Sequence, residues 1–165
     1  MNNVKPSYSL TAKILHWGFV VFFIYGIIKS VDDLNQLDES SFLKFEILFA
    51  LAFLFILAGR FFYMKKTQKT SLPIDTPKTQ RLAARLVHLG MYGVLGAIAI
   101  TGLAIGFIFW LGLKDGVLIE TVVAIHELAI PLMYWLIAIH ISAAIYHRLL
   151  NDGVWNSMVP FLKEK

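Results

Sequence analysis

Two histidines on one apolar stretch of the chain are the residues best suited to holding a cofactor inside a membrane. His126 and His140 lie between Val122 and Ile145, and His140 follows His126 by fourteen residues. On an α-helix this spacing is nearly four turns, so both imidazoles project from about the same face, ~21 Å apart along the axis. Because an ionisable ring in lipid is costly unless it has a partner, we expect both histidines to be functional.

Four long apolar stretches would position these histidines. They cover about residues 10–28, 42–64, 82–110 and 117–150. Each reaches the ~20 residues needed to cross a hydrocarbon core of ~30 Å, and the chain is 58% hydrophobic but only 16% charged. We therefore predict an all-α integral membrane protein whose four helices form one bundle, a single domain over residues 1–165. Close helix packing is the predicted role of most glycines in the third stretch, which are Gly90, Gly93, Gly96, Gly102 and Gly106.

Charged residues predict the orientation of the bundle. Bases concentrate beside the link between the second and third helices and in the two tails: Arg60, Lys65, Lys66, Lys69, Lys78, Arg81, Arg85, Lys5, Arg148, Lys163 and Lys165. The other two links contain acidic residues, namely Asp32, Asp33, Asp38, Glu39, Asp115 and Glu120. By the positive-inside rule, both termini are expected in the cytoplasm. The same rule explains the formal charge of +4 without a nucleic acid as partner.

The absence of cysteine narrows the possible redox carriers. Without thiolates there is no disulfide, no iron–sulfur cluster and no thiolate-ligated haem. The first apolar stretch is followed by Lys29 and acidic residues rather than by a small-residue cleavage site, so we expect it to be retained as a helix.

Histidine is then the residue type left for holding a redox cofactor. In the predicted orientation His16, His88, His140 and His147 lie toward the cytoplasmic side, and His126 alone lies toward the outer side. Neutral imidazole is a favoured axial ligand of haem iron, and helix bundles hold cofactors between facing helices. His16 and His140, at similar depth on different helices, could therefore bind the iron of one haem. The alternative is a hydrogen bond between the two helices.

His88 and His147 have simpler interpretations. His147 is followed by Arg148, and His88 comes three residues after Arg85, so each could be an interfacial residue in contact with water and headgroups. Arg85 and His88 could instead lie beside the haem propionates.

Short motifs along the chain have an order and spacing that point to a known family. They are Ile14-Leu15-His16-Trp17, Arg60, Leu82-Ala83-Ala84-Arg85-Leu86-Val87-His88-Leu89, His126-Glu127, Ile139-His140, His147, Asp152 and Met158-Val159-Pro160. Together they resemble the bacterial cytochrome b561 family of four-helix haem proteins of the cytoplasmic membrane, which are related to the cytochrome b subunits of hydrogenases and formate dehydrogenases. The resemblance runs from Ser9 to about Pro160.

This resemblance implies two b-type haems stacked across the inner membrane, which pass electrons between ubiquinone or menaquinone and a redox partner. The inner haem would be held by His16 and His140. The outer haem would be held by His126 and a histidine of the second helix. His147 would be the candidate for holding the quinone head group, since an imidazole can donate a hydrogen bond to a carbonyl oxygen.

The second helix departs from the family pattern. Fourteen residues before Arg60, where the resemblance requires a histidine, this chain has Glu46. Three outcomes are open: the outer haem is absent, it is bound by His126 with Glu46 or water opposite, or its second ligand comes from another subunit. A carboxylate ligand would lower the reduction potential relative to a bis-imidazole haem. A hydrogen bond between Glu46 and His126 would satisfy both side chains without haem.

The predicted function therefore depends on the number of haems, and the sequence identifies no catalytic residue. With two haems, the resemblance implies a protein that conducts electrons across the membrane. Such a protein could also act as a superoxide:quinone oxidoreductase. With one haem, which we expect, the protein would be a quinone-linked monohaem cytochrome or a subunit of a larger redox complex, with other membrane subunits or a second copy as partners. A redox-inert packing subunit is the third possibility, and the presence of both His16 and His140 argues against it. Three lysines are expected on the outer side, Lys29, Lys44 and Lys114. They could attract the superoxide anion, or they could only anchor the bundle in the membrane.

Overall fold

A computed structural model describes residues 7–30, 34–67, 72–73 and 75–164 of the chain. Within these residues there are four long helices: α1 (Leu10–Ile28), α2 (Ser40–Thr67), α3 (Lys78–Trp110) and α4 (Val117–Leu150). A 3-10 helix, Leu34–Asp38, precedes α2, and a short α5, Val154–Met158, follows α4. The orientation argument also used residues outside the described part, which are Lys5, Asp32, Asp33, Lys69 and Lys165.

Each of these long helices is long and apolar enough to cross a membrane. Large hydrophobic side chains cover the outside of the bundle, with Phe55, Leu128 and Trp135 at least 70% exposed. Such a surface is stable only against lipid, because in water it would be a large exposed apolar patch. The predicted all-α membrane bundle is therefore confirmed. Which ends of the helices face the cytoplasm stays a prediction.

The helices pack in chain order, α1 on α2, α2 on α3 and α3 on α4. The main buried cluster joins all four of them and includes Phe19, Phe53, Leu95 and Met133. A second buried cluster lies where α3 ends and α4 begins. Among the described residues, α1 and α4 do not pack closely against each other along their backbones. The backbones of α1 and α4 thus lie farther apart than those of the other neighbouring helices, although side chains of both belong to the main buried cluster.

Two helices extend beyond the apolar stretches that predicted them. Helix α2 covers Ser40–Thr67 instead of 42–64, and α3 covers Lys78–Trp110 instead of 82–110. The added turns are polar, and α2 ends with Lys65 and Lys66, whose charges favour a helix C-terminus. A search for apolar stretches does not detect these polar turns, because polar residues are expected beyond the hydrocarbon core.

The glycines of α3 differ in what surrounds them. A Cβ on Gly106 would stand 2.7 Å from Cγ1 of Ile47, so this glycine allows α2 and α3 to approach closely. A Cβ on Gly102 would lie 3.5 Å from the ring of His126. Nothing lies within 4 Å of that position at Gly93 or Gly96. The predicted packing role therefore holds at Gly106 and does not hold at Gly93 and Gly96.

Candidate functional site

In the described part of the chain, histidines of three helices meet at one end of the bundle, which we call the histidine end. The ring centroids of His16 on α1 and His140 on α4 are 6.4 Å apart. His88 on α3 lies closer to His140, with ring centroids 5.0 Å apart. His140 thus lies between two other imidazoles. The two ring separations determine which pair could bind one metal ion.

The separation of His16 and His140 suits a metal ion between the rings. Two metal–nitrogen bonds of ~2 Å on opposite sides of one metal, together with the ~1.2 Å from each ring nitrogen to its centroid, would place two such centroids about 6.4 Å apart. The His88–His140 separation of 5.0 Å is too short for this arrangement. Among the described residues no group of three or more His, Asp or Glu side chains could hold a metal ion. The pair therefore suits iron whose remaining ligands come from a macrocycle.

Arg60 of α2 is the main polar neighbour of His16. Its Nη2 lies 3.0 Å from Nδ1 of His16, and its Nη1 donates to the Tyr92 hydroxyl over 2.8 Å. The guanidinium also lies over the rings of Phe19 and Tyr92, at 5.8 and 5.2 Å from their centroids. Because a guanidinium can only donate, Nδ1 of His16 accepts in this contact. Sequence reasoning noticed Arg60 only as part of a motif and gave it no role.

His88 and Arg85 were predicted to lie at the interface or beside the propionates. Nδ1 of His88 donates to the carbonyl oxygen of Ala84 over 2.6 Å, and the residue is exposed although its ring approaches His140. Arg85 is exposed as well. Neither position decides between the two interpretations, which both stay predictions.

His147 is not the water-exposed interfacial residue that one interpretation predicted, since it is only 8% exposed. Its Nδ1 lies 2.5 Å from Oδ2 of Asp152, and Oδ1 of Asp152 accepts from the backbone N–H of Val154. The chain turns back here because Asn151 and Gly153 take positive φ angles of 53° and 92°. One feature of the sequence could have indicated the contact between His147 and Asp152, namely the polar turn that follows α4.

The segment after this turn, residues 151–164, folds back onto α1, and we call it the C-terminal cap. Nζ of Lys13 donates to the carbonyl oxygen of Asn156 over 3.3 Å, and Nε1 of Trp17 donates to that of Met158 over 3.2 Å. Trp17 also packs against Phe161, with ring centroids 5.1 Å apart. The cap therefore bridges α1 and α4 at the histidine end, where their backbones do not pack closely.

His126 lies toward the opposite end of α4 and is bonded to α3. Its Nδ1 is 2.8 Å from Oγ1 of Thr101, whose hydroxyl also contacts the carbonyl oxygen of Ala97 at 2.6 Å. A hydroxyl has one proton, so if Thr101 donates it to Ala97 it accepts from Nδ1–H of His126, and Nε2 keeps its lone pair. This is the arrangement that metal-bound histidines use. The sequence gave no signal that would pair Thr101 with His126.

Glu46 does not form the hydrogen bond with His126 that was considered from the sequence. His126 bonds to Thr101 instead, and Oε1 of Glu46 is buried without a hydrogen-bond partner among the described residues. Within the described chain, no second histidine stands beside His126 as His140 does beside His16. Imidazoles are thus paired at the histidine end and unpaired at the opposite end.

The fold and the site together fit a membrane cytochrome: an apolar four-helix bundle in which imidazoles of α1 and α4 lie 6.4 Å apart, a separation that a shared metal could occupy. A family model, prokaryotic cytochrome b561, matches residues 7–161. The chain belongs to this family, which confirms the resemblance found in its motifs. It is accordingly a multi-pass b-type cytochrome of the bacterial inner membrane, which binds haem b and takes part in electron transfer. No curated protein and no solved structure matches the chain.

Proposed function

We propose that this cytochrome transfers electrons between a membrane quinone and a redox partner by way of one haem b held by His16 and His140. The observation that carries the proposal is the 6.4 Å separation of the two ring centroids. The rings belong to α1 and α4, whose backbones do not pack closely against each other. Bound there, the haem would supply a one-electron carrier. The surrounding residues Phe19, Trp17 and Tyr92 would shield it from water.

His147 is the proposed contact for the quinone head group. It follows His140 by seven residues, two turns or ~10.5 Å along α4. The carboxylate of Asp152 accepts from Nδ1 and so orients the ring, which leaves Nε2 to face a quinone oxygen. Reduction of a quinone consumes two protons with two electrons. In its protonated form His147 carries a proton on each ring nitrogen, so it can donate Nδ1–H to Asp152 and deliver the Nε2 proton to the quinone oxygen. Ubiquinone and menaquinone both present carbonyl oxygens and both suit this site.

The number of haems proposed is one, because the opposite end lacks a second imidazole. His126 is present there, but Glu46 stands where the family pattern requires a histidine. One haem at the histidine end does not reach across the bilayer. A monohaem cytochrome that serves other membrane subunits, or a second copy of itself, therefore agrees better with these residues than a complete transmembrane conduit.

Superoxide oxidation is the less supported alternative. It needs a haem at the opposite end and free cations to attract the anion. Nζ of Lys114 lies 2.6 Å from Oδ1 of Asp38, so its charge is already paired. Lys29 and Lys44 remain exposed. We expect no superoxide-dependent reduction of the haem beyond the rate of the uncatalysed reaction.

Quinone-dependent oxidation of the reduced haem tests the proposal. The purified holoprotein is reduced, mixed with a short-chain ubiquinone or menaquinone in a stopped-flow instrument, and followed by its haem absorption. His147→Gln should slow oxidation by about 100-fold, the usual contribution of a positioned proton donor, and leave the haem spectrum unchanged. Glu164→Gln is the matched control, because this carboxylate lies in the same cap but bonds to Gly153 rather than to His147. If neither quinone oxidises the wild-type haem faster than buffer, quinone-linked transfer is wrong.

A further inference from the structure

We infer that Arg60 is the residue that binds the carboxylate groups of the haem, and that it releases His16 when iron takes this histidine as a ligand. The inference rests on the proposed haem site at His16 and His140. It assigns to α2 a binding role that the sequence had reserved for Arg85 and His88 on α3.

The first step is the charge of Arg60, which has no anionic partner. Among the described residues the ion pairs are Lys114 with Asp38 and His147 with Asp152, and neither involves Arg60. The Nε atom of Arg60 is buried and has no hydrogen-bond partner. Removing a guanidinium from water is costly unless an anion and a full set of acceptors compensate for it. The contacts of Arg60 among the described residues are a neutral hydroxyl, an imidazole and two aromatic rings, none of them an anion.

The second step is the position of the ring proton on His16. Arg60 donates to Nδ1, so a neutral His16 carries its proton on Nε2. Iron needs a nitrogen lone pair. If iron binds Nε2, the proton moves to Nδ1 and two donors face each other over 3.0 Å. If iron binds Nδ1, it takes the place of Arg60 directly. In both cases the contact between Arg60 and His16 is lost, and the guanidinium must find another acceptor.

The third step is the identity of that acceptor. Haem b carries two propionate carboxylates, and the planar fork of a guanidinium matches a carboxylate with two parallel hydrogen bonds. Arg60 already lies beside one proposed ligand, and its guanidinium would exchange the imidazole for a carboxylate. The same exchange satisfies its unpartnered Nε and neutralises its charge. Arg85, in contrast, is exposed, where water already solvates its charge.

Substitution of Arg60 tests this inference through haem binding rather than activity. Arg60→Gln removes the charge and keeps a side chain that can donate, and Arg60→Lys keeps the charge without the fork. Lys66→Gln removes an exposed charge of the same helix and is the matched control, which should change neither affinity nor potential. Arg85→Gln tests the alternative residue on α3. Each protein is produced with ample haem and purified in detergent, and the ratio of haem to protein is measured by pyridine haemochrome. Haemin titration of the haem-depleted protein gives the affinity, and a redox titration gives the midpoint potential.

We expect Arg60→Gln to weaken haemin binding by about tenfold to a hundredfold, the usual range for a charge-assisted hydrogen bond. Its midpoint potential should fall, because a nearby positive charge favours the reduced haem. Arg60→Lys should keep most of the potential and lose affinity severalfold, whereas Arg85→Gln should match the wild type in both. Circular dichroism checks that the helices are intact, and if Arg60→Gln does not fold, loss of affinity in a folded Arg60→Lys protein decides the question.

Two results would overturn the inference. Tighter haemin binding by Arg60→Gln would show that Arg60 only competes with iron for His16. Unchanged affinity and potential would show that the carboxylates bind elsewhere. If instead the wild-type protein binds no haem, or His16→Ala leaves binding intact, the proposed site itself is wrong, and this outcome is distinct from a failure at Arg60.

Discussion

Replacement of His140 by alanine is the most direct test of the haem site. His140 is the ring shared by both close pairs, 6.4 Å from His16 and 5.0 Å from His88. Loss of a residue that merely supports a metal ligand costs about 10- to 100-fold in affinity. An axial ligand touches the metal itself, so we take ~100-fold, or about 2.8 kcal/mol, as the smallest expected effect. The low-spin b-type absorption of His140→Ala should be lost even where haem still binds, because a haem with one imidazole ligand no longer has the bis-imidazole low-spin spectrum.

The assay is the ratio of haem to protein, measured by pyridine haemochrome beside the reduced-minus-oxidised spectrum. The wild type should contain about one haem per chain, because the described residues hold one pair of imidazoles at the required separation. His88→Ala is the matched control: it removes a ring 5.0 Å from His140, a separation too short for two imidazoles on opposite sides of one iron, and should keep the low-spin spectrum. A full low-spin spectrum in His140→Ala would refute the reasoning. Loss of the spectrum in a well-folded His88→Ala protein would do the same.

Two further predictions concern the opposite end of the bundle and the packing of α2 on α3. Glu46→His should raise the ratio of haem to protein from about one toward two, because it supplies a second imidazole ligand beside His126; Glu46→Gln should leave the ratio unchanged, and a wild-type ratio of two would contradict the idea. Gly106→Ala should lower the thermal stability in detergent, since its Cβ would meet Ile47 at 2.7 Å and such overpacking costs about 1–3 kcal/mol, against a gain of ~1 kcal/mol in helix propensity. Gly93→Ala meets nothing within 4 Å and should be neutral or stabilising; equal melting temperatures for the two variants would count against the packing argument.

The helices were predictable from the sequence because lipid imposes a simple requirement. A backbone that crosses the bilayer must satisfy its own hydrogen bonds over ~20 apolar residues, and this length is visible in the chain. The polar turns of α2 and α3 were missed because they lie beyond that requirement. The proximity of His16 and His140 was predictable because both histidines lie at a similar depth in the membrane on different helices. Depth can be estimated from position along each helix without knowledge of side-chain packing.

The contacts around the histidines were not predictable in the same way. Thr101 meets His126, and Arg60 meets His16, because of how neighbouring helices are rotated against each other. Rotation depends on the packing of many side chains at once and leaves no periodic pattern in the sequence. The burial of His147 depends on a chain reversal at Gly153, and the reversal becomes visible only when the cap is seen to lie on α1.

The placement of the proposed ligands on α1 and α4 has a consequence for how the protein is made. Of the long helices described, these are the first and the last to leave the ribosome, and the cap that joins them is synthesised later still. The pair of imidazoles therefore does not exist until α4 has been made, and we expect haem uptake at the proposed site to follow the insertion of α4 into the membrane. A ribosome-bound chain stalled before α4 should hold no low-spin haem, however long it remains in the membrane.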